Sequence, residues 1–185
     1  MEFDYVIVGA GSSGCVLANR LSADPSVRVA AIEAGGRDVS PWIHIPVGYF
    51  RTIKNPALNW MYRTEQDPGL NGRAINWPRG KTLGGSSSIN GLLYVRGQPQ
   101  DYDGWAQRGN SGWSWDDVLP YFQKSENWNG PDASERGQGG PLTVNQSHNT
   151  WPIVDACVEA AQEAGFSYNN DYNSGDQEGV GFFQQ

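Results

Sequence analysis

The chain has 185 residues, of which 38% are hydrophobic, and a formal net charge of −7 at pH 7. This length is enough for one ordinary domain with a packed core and excludes two large ones. The negative charge, with lysine and arginine scattered singly along the chain, disfavours nucleic acid as a partner because phosphate contacts need clustered cations.

The first elements predict a nucleotide-binding βαβ unit. Residues 3–8 form a β-branched and aromatic run that is typical of a buried parallel strand, and a helix is expected to follow from Ser13. Between them, Gly9, Gly11 and Gly14 have the spacing G-x-G-x-x-G. The first glycine of this motif permits the turn, the second lets the backbone approach phosphate, and the third allows close packing of helix on strand. A pyrophosphate is therefore expected over the helix N-terminus.

A second apolar run at residues 27–32 predicts the second strand. It ends at Glu33, which lies 19 positions after Gly14. A carboxylate at this spacing accepts hydrogen bonds from ribose hydroxyls and repels a 2′-phosphate. The spacing therefore disfavours NADP and leaves FAD and NAD as alternatives.

Residues 35–79 are rich in proline, glycine and asparagine and have little sustained periodicity, which predicts an extended excursion. A second glycine-rich loop follows at residues 80–91. Gly84 and Gly85 remove side chains where a planar ring must lie close to backbone, and the serines at 86–88 offer short donors and acceptors. A dinucleotide needs one backbone surface for its pyrophosphate and another for its ring system, so the two loops together indicate a flavin enzyme. The alternative is a surface loop of glycine and serine.

The next stretch, residues 104–127, predicts mainly helix with Ser114 as an N-cap. Several of the eight tryptophans lie here; we interpret them as core packing, with substrate stacking as the alternative. Residues 130–140 predict a solvent-exposed polar loop with no evident chemistry.

The C-terminal part predicts a short strand at residues 141–145 and a helix at 151–164 that begins after Thr150. From residue 166 the chain is rich in asparagine, aspartate, glycine and glutamine. It stops at Gln185 in what resembles an interrupted strand, so we expect a fragment or one piece of a longer enzyme. Such a piece would expose the unpaired strands at 6–8 and 29–32 and would tend to aggregate.

Residues 80–103 resemble the first signature of the glucose-methanol-choline (GMC) oxidoreductase family, a group of FAD-dependent enzymes that act mainly on alcohols. The chain is similar to the N-terminal part of such an enzyme, in particular to bacterial choline-dehydrogenase-like and aliphatic or aromatic alcohol dehydrogenases. The shared residues are Arg79-Gly80-Lys81, Leu83-Gly84-Gly85-Ser86-Ser87, Ile89-Asn90, Tyr94-Val95-Arg96-Gly97 and Asp101-Tyr102-Asp103-Gly104-Trp105, with Leu58-Asn59-Trp60-Met61-Tyr62 and Trp113-Ser114-Trp115-Asp116 outside the signature.

The resemblance implies an α/β fold: a Rossmann-like FAD-binding domain at residues 1–140, whose excursion 35–79 covers the cofactor, and the start of an α+β substrate-binding region at 141–185. It implies that residues 90–93 face the isoalloxazine, where backbone N–H groups stabilise the charge that appears on reduction. Trp60 and Arg79 would enclose the cofactor. The candidate cofactor-binding residues are Gly9, Gly11, Ser12, Ser13, Gly14, Glu33, Ala34, Trp60, Arg79, Gly80, Leu83, Gly84, Gly85, Ser86, Asn90, Gly91, Leu92 and Leu93.

The sequence departs from part of the family at Ile89. Some members carry a histidine there that bonds covalently to the flavin, and isoleucine cannot do so. We therefore expect a dissociable FAD.

No catalytic residue is assigned. The resemblance implies that a base, usually histidine, removes the alcohol proton while hydride passes to flavin N5, giving an aldehyde or ketone. The family's catalytic histidine lies near the C-terminus, and neither His44 nor His148 matches it. We expect a packed or hydrogen-bonded role for His44 and a solvated loop for His148, so the base and the rest of the site would come from the remainder of the same enzyme.

Other reactions stay open on the same scaffold, because a fold does not fix a reaction. A flavin-dependent lyase or decarboxylase is one alternative, and an inactive FAD-binding fragment is another. A serine hydrolase is rejected, because the serines of the two loops have no histidine and acid partners at recognisable positions. A dehydrogenase is preferred to an oxidase, but the alcohol and the electron acceptor are not identified.

The two cysteines, Cys15 and Cys157, offer neither a disulfide framework nor metal-ligand spacing, so no metal is expected and a reducing cytoplasm fits best. Both are expected in helices. No signal peptide is evident, and no run approaches the roughly 18 apolar residues of a membrane span, which leaves peripheral membrane association open.

Overall fold

The structure is a computed structural model that describes residues 2–131, 134–147 and 151–185. The predictions at His148 and at Thr150 lie outside the described residues. The chain forms two compact units, of which the first ends at Leu92 and the second extends from Leu93 to Gln185. This boundary lies well before residue 140, where the sequence predicts the end of the cofactor domain, and that functional division stays a prediction.

The first unit begins with the predicted βαβ arrangement. Strand β1 spans Tyr5–Val8, helix α1 spans Ser12–Leu21 and strand β2 spans Val29–Ile32. The strands are parallel, with Tyr5 opposite Val29 and Val8 opposite Ile32. Cys15 lies in α1, as predicted.

Two expectations about these strands are wrong. They pair with each other and are therefore not unpaired. The run at 3–8 was expected to be buried, yet Val8 is 86% exposed while Ile7 is 8% exposed. Only one face of β1 packs on α1, because successive side chains of a strand point to opposite faces.

The excursion at residues 35–79 contains short elements, as its lack of periodicity predicts. Helix α2 (Pro41–His44) and helix α3 (Tyr49–Thr52) are each four residues long. Strands β3 (Tyr62–Arg63) and β4 (Asn76–Trp77) form an antiparallel pair, and three-residue 3₁₀ helices lie at Pro46–Gly48 and Pro68–Leu70. The hydrogen-bonded role predicted for His44 is confirmed, since its Nε2 lies 2.6 Å from the carbonyl oxygen of Asp38.

The second unit contains α4 (Pro99–Gln107), α5 (Trp115–Ser125) and α6 (Pro152–Glu163), with strands β5 (Glu126–Trp128) and β6 (Leu142–Val144) paired in parallel. The predicted strand near 142 and the predicted helix that carries Cys157 are confirmed. Ser114 caps α5 as predicted: its hydroxyl accepts from the N–H of Asp117, whose carboxylate accepts from the N–H of Ser114. The helical stretch predicted to continue to residue 127 ends at Ser125, and β5 begins at the next residue.

The four tryptophans between residues 104 and 128 divide into two groups. Trp115 and Trp128 are buried, as core packing predicts. Trp105 and Trp113 are 44% and 51% exposed, and their rings contact each other at a centroid distance of 5.7 Å. The prediction of core packing is therefore confirmed for Trp115 and Trp128 and wrong for Trp105 and Trp113.

The centre of the second unit is a buried, charge-balanced cluster. The Glu126 carboxylate accepts from Arg96 at 2.7 Å and from Arg136 at 2.6 Å, and Arg136 also donates to Asp171 at 2.7 Å. Arg136 is 6% exposed, so the expectation of an exposed loop without chemistry at 130–140 is wrong there. A lone arginine in a glycine-rich run resembles a solvated residue, and its partners Glu126 and Asp171 lie 10 and 35 residues away in other segments.

Tyr172 belongs to the same interior. Its hydroxyl donates to the carbonyl oxygen of Tyr94 at 2.9 Å and accepts from the N–H of Gln184 at 2.7 Å. Burial raises the pKa of this phenol above its ordinary value. The network therefore joins the end of the described chain to the segment around residue 94.

Candidate functional site

The two glycine-rich loops meet in the first unit. The N–H of Gly84 donates to the carbonyl oxygen of Ala10 at 2.8 Å, and the hydroxyls of Ser12 and Ser87 are hydrogen-bonded. Gly85 faces Gly11 so closely that a Cβ at position 85 would lie 2.7 Å from the Cα of Gly11. Segments that are about 75 residues apart in the sequence are thus held in contact by backbone.

Helix α1 begins at this contact with its N-terminus open. Its N-cap residue, Gly11, provides no side-chain cap, and its first turn carries no acidic residue. A Cβ at Gly14 would lie 2.0 Å from the carbonyl oxygen of Gly9, so only glycine lets the helix lie this close to the turn. The free N–H groups and the positive end of the helix dipole form an arrangement that favours an anion.

Glu33, which follows the last residue of β2, holds the first loop in place through hydrogen bonds. Its Oε2 accepts from the N–H of Ala10 at 2.9 Å, and its Oε1 accepts from the N–H of Gly35 at 2.8 Å. A carboxylate has about four acceptor positions, so two remain for further donors. The side chain can hold the loop and accept from ribose hydroxyls at the same time.

An aromatic wall faces the loops. The N–H of Trp60 donates to the carbonyl oxygen of Arg79 at 2.9 Å, which joins the excursion to the start of the second loop. The Trp60 ring stacks on the Tyr62 ring, with 5.8 Å between the ring centroids. The Lys81 ammonium lies over the Trp60 ring, 4.7 Å from its centroid. Trp60 is 40% exposed and therefore accessible to a ligand.

The two loops, the N-terminus of α1, Glu33 and Trp60 line an open cavity of about 940 Å³. Its size is at the upper end of the usual range for ligand sites. Twelve of the eighteen predicted cofactor-binding residues line it: Gly9, Gly11, Ser12, Ser13, Gly14, Glu33, Ala34, Trp60, Arg79, Gly80, Gly85 and Ser86.

The donor set fits a dinucleotide. Backbone N–H groups at a helix start suit a pyrophosphate, glycines allow close approach, a carboxylate suits a ribose, and an aromatic ring suits a planar heterocycle. A family model described as GMC oxidoreductase matches residues 3–185. The chain belongs to the GMC oxidoreductase family.

Curated GMC relatives support this assignment. The chain is 49% identical over 183 residues to an alcohol dehydrogenase [acceptor] of Pseudomonas putida, and the match covers 98% of this chain and 33% of that relative. It is 46% identical over 185 residues to an oxygen-dependent choline dehydrogenase of Rhizobium etli (strain CIAT 652), covering 100% of this chain and 34% of the relative. The chain spans about a third of the length of these relatives.

Solved structures confirm the predicted α/β fold class. A pyridoxine 4-oxidase from Mesorbium loti is 38% identical with a TM-score of 0.92, over 99% of this chain and 36% of that one. A fungal aryl-alcohol oxidase is 28% identical with a TM-score of 0.80, over 99% of this chain and 33% of that one.

Six predicted residues of the GMC site do not line the cavity. Leu83 and Gly84 lie in the second loop, where they bond to Gly36 and Ala10 through their N–H groups. Asn90, Gly91 and Leu92 end the first unit, and Leu93 begins the second. Their roles at the cofactor stay predictions. His44 also lies outside the lining.

Sequence reasoning missed the apolar part of the lining. It comes from β1, the end of β2 and one face of α1: Tyr5, Val6, Ile7, Val8, Leu17, Leu21 and Ile32. Their apolar character suggested packing alone. The signal that could have identified part of them is the position of residues 5–8 directly before the first motif glycine, Gly9.

Proposed function

We propose that this protein binds FAD non-covalently in the cavity of its first unit and, as part of a complete GMC enzyme, oxidises an alcohol to an aldehyde or ketone. The observation that carries the proposal is the meeting of the two glycine loops, Gly84 with Ala10, at the open N-terminus of α1. The names of the curated relatives, an alcohol dehydrogenase and a choline dehydrogenase, support an alcohol as the substrate class.

Each part of the cavity has a role in this proposal. The N–H groups at Ser12, Ser13 and Gly14 bind the pyrophosphate, and Glu33 accepts from the ribose of the adenosine half. Trp60 and Arg79 form one wall, and the glycines of the second loop allow a flat ring system to approach backbone. Residues 90–93 contribute backbone groups near the isoalloxazine. Bound FAD would supply the acceptor for the hydride that leaves the carbinol carbon.

Ile89 supports dissociable binding. It is 3% exposed and carries no nucleophile, so this position offers no atom for a covalent link to the flavin. Precipitation with acid should release the flavin from the polypeptide.

The catalytic base and most of the alcohol pocket are proposed to come from the remainder of the enzyme, because the chain spans about a third of its relatives. In this proposal residues 1–140 bind the cofactor and 141–185 begin the substrate region. The preference for a dehydrogenase over an oxidase stays a prediction, since the names of the relatives include both an acceptor-dependent alcohol dehydrogenase and an oxygen-dependent choline dehydrogenase. None of the helices in the described ranges, 2–131, 134–147 and 151–185, is long and apolar enough to cross a membrane. A cytoplasmic location stays a prediction from the cysteine content.

The test is dye reduction by the protein expressed from its complete coding sequence. Primary aliphatic alcohols, aromatic alcohols and choline are supplied in turn, with an artificial electron acceptor and with oxygen alone. We expect reduction of the dye that depends on an alcohol and on bound FAD. Protein that carries FAD but reduces no dye with any alcohol would contradict the proposed oxidation and favour a different flavin reaction.

A further inference from the structure

Asn59 is a buried polar residue beside the cavity wall. It is 3% exposed and does not line the cavity. Its side-chain amide nevertheless makes three hydrogen bonds to backbone: Oδ1 accepts from the N–H groups of Met61 and Arg79, each at 3.0 Å, and Nδ2 donates to the carbonyl oxygen of Ile53 at 2.6 Å. A buried amide with three such bonds fixes the segments that it joins.

The segments that Asn59 joins contain Trp60 and Arg79, which form the wall of the cavity. Trp60 lies between Asn59 and Met61, and its own N–H bonds to the carbonyl oxygen of Arg79. Asn59 also pairs with Gly80 in an isolated antiparallel bridge. One side chain thus sets the spacing between the backbone of Trp60 and that of Arg79.

Asn59 also holds an uncommon backbone conformation. Met61 has a φ of 57°, in the left-handed region that residues other than glycine seldom adopt. Its N–H is one of the two that donate to the Asn59 Oδ1. On the far side of this turn Tyr62 lies parallel to the Trp60 ring, with 4° between the planes. The orientation of Trp60 therefore depends on a turn that Asn59 stabilises.

We propose that Asn59 is a positioning residue: it holds the wall formed by Trp60 and Arg79 in the orientation that the cofactor meets, without contacting the cofactor. The inference rests on the proposed function, since its consequence is measured on FAD. It predicts that a change at Asn59 acts on FAD through Trp60.

The test measures FAD affinity on protein expressed from its complete coding sequence, stripped of flavin and titrated back. Asn59→Ala is expected to weaken binding about tenfold. The matched control is Asn55→Ala, which removes an exposed side chain whose Oδ1 accepts from the N–H of Ala57. The FAD affinity of this control variant should stay within about twofold of that of wild type.

A double-mutant cycle separates positioning from general stability. In a Trp60→Ala background, Asn59→Ala should weaken FAD binding by about threefold or less, because the aromatic ring through which it acts is already gone. A full additional tenfold loss would mean that Asn59 does not act through Trp60 and would overturn the inference.

Asn59→Asp provides a second test if the alanine variant does not fold. The change keeps the oxygen that accepts from Met61 and Arg79, but it replaces the donor to Ile53 with a carboxylate oxygen in a buried position. FAD affinity should therefore fall about tenfold, and an affinity equal to that of wild type would contradict the positioning role. Wild-type protein that binds no FAD would instead overturn the proposed function, whereas FAD binding that is insensitive to Asn59→Ala overturns this inference alone.

Discussion

The N–H of Gly84 donates a 2.8 Å hydrogen bond to the carbonyl oxygen of Ala10. This bond joins the loop that follows β1 to a loop more than 70 residues later in the chain. The glycines around it permit the approach, since Gly85 lies against Gly11 with no room for a side chain. The cofactor site is therefore a consequence of backbone contact between two loops.

Gly85→Ala tests that contact. A Cβ would lie 2.7 Å from the Cα of Gly11, and the φ of Gly85 is +57°, which is strained for alanine. The loops should separate, and FAD affinity should fall about tenfold or more, measured by titration of flavin-free protein. Gly36→Ala is the matched control, because a Cβ there meets nothing within 4 Å. Equal affinities for the two variants would contradict the account.

Glu33→Gln tests the brace at the end of β2. The two N–H groups of Ala10 and Gly35 would face an amide that offers one acceptor oxygen instead of two. FAD affinity should fall about tenfold, and Glu65→Gln, at an exposed acid of the same unit, should leave it unchanged. If the affinity of Glu33→Gln matches that of wild type, the carboxylate neither orders the loop nor binds the ribose.

Arg136→Met tests the interior of the second unit. The change leaves Glu126 and Asp171 without one of their cations in a buried cluster. The free energy of unfolding should fall by about 3–5 kcal/mol, because a buried charge loses its partner. Arg108→Ala, at an exposed arginine, should change it by less than about 0.5 kcal/mol. Urea titrations of both variants provide the comparison, and a small effect of Arg136→Met would mean that the cluster is hydrated.

Tyr172 predicts a dependence of stability on alkaline pH. Burial raises its pKa in the folded state above the ordinary value of 10.0, so the folded protein holds the phenolic proton more tightly than the unfolded chain. This contribution to stability is complete below pH 10.0 and is lost as the pH rises through the folded-state pKa. Tyr172→Phe should therefore show a shallower fall in Tm between neutral pH and pH 11 than wild type, whereas Tyr121→Phe, at an exposed tyrosine, should follow wild type. Parallel curves for wild type and Tyr172→Phe would contradict the assignment.

The sequence predicts the parts of this fold that depend on local spacing. Gly9, Gly11 and Gly14 predict the turn and the helix, because strand, turn and helix are built from consecutive residues. Glu33 follows at the spacing that the motif predicts. Ser114 likewise predicts the start of α5, and its capping partner in the structure, Asp117, lies within the same turn.

The parts that depend on distant partners were not predictable in the same way. Arg136 looks like a solvated residue until Glu126 and Asp171 are brought to it by the fold. Asn59 gives no sign in the sequence that its amide will bond to Arg79, 20 residues later. The exposure of Val8 was missed because a run of apolar residues shows that a strand forms and does not show how many layers cover it.

The most direct test of the central claim is the visible spectrum of the protein expressed from its complete coding sequence, recorded before and after acid precipitation, together with its intact mass. The account predicts an oxidised-flavin spectrum, about one FAD per chain in the supernatant, and a polypeptide whose mass contains no flavin. A protein without flavin would contradict the assignment of the cavity, and flavin that stays with the precipitated polypeptide would contradict the dissociable binding inferred from Ile89.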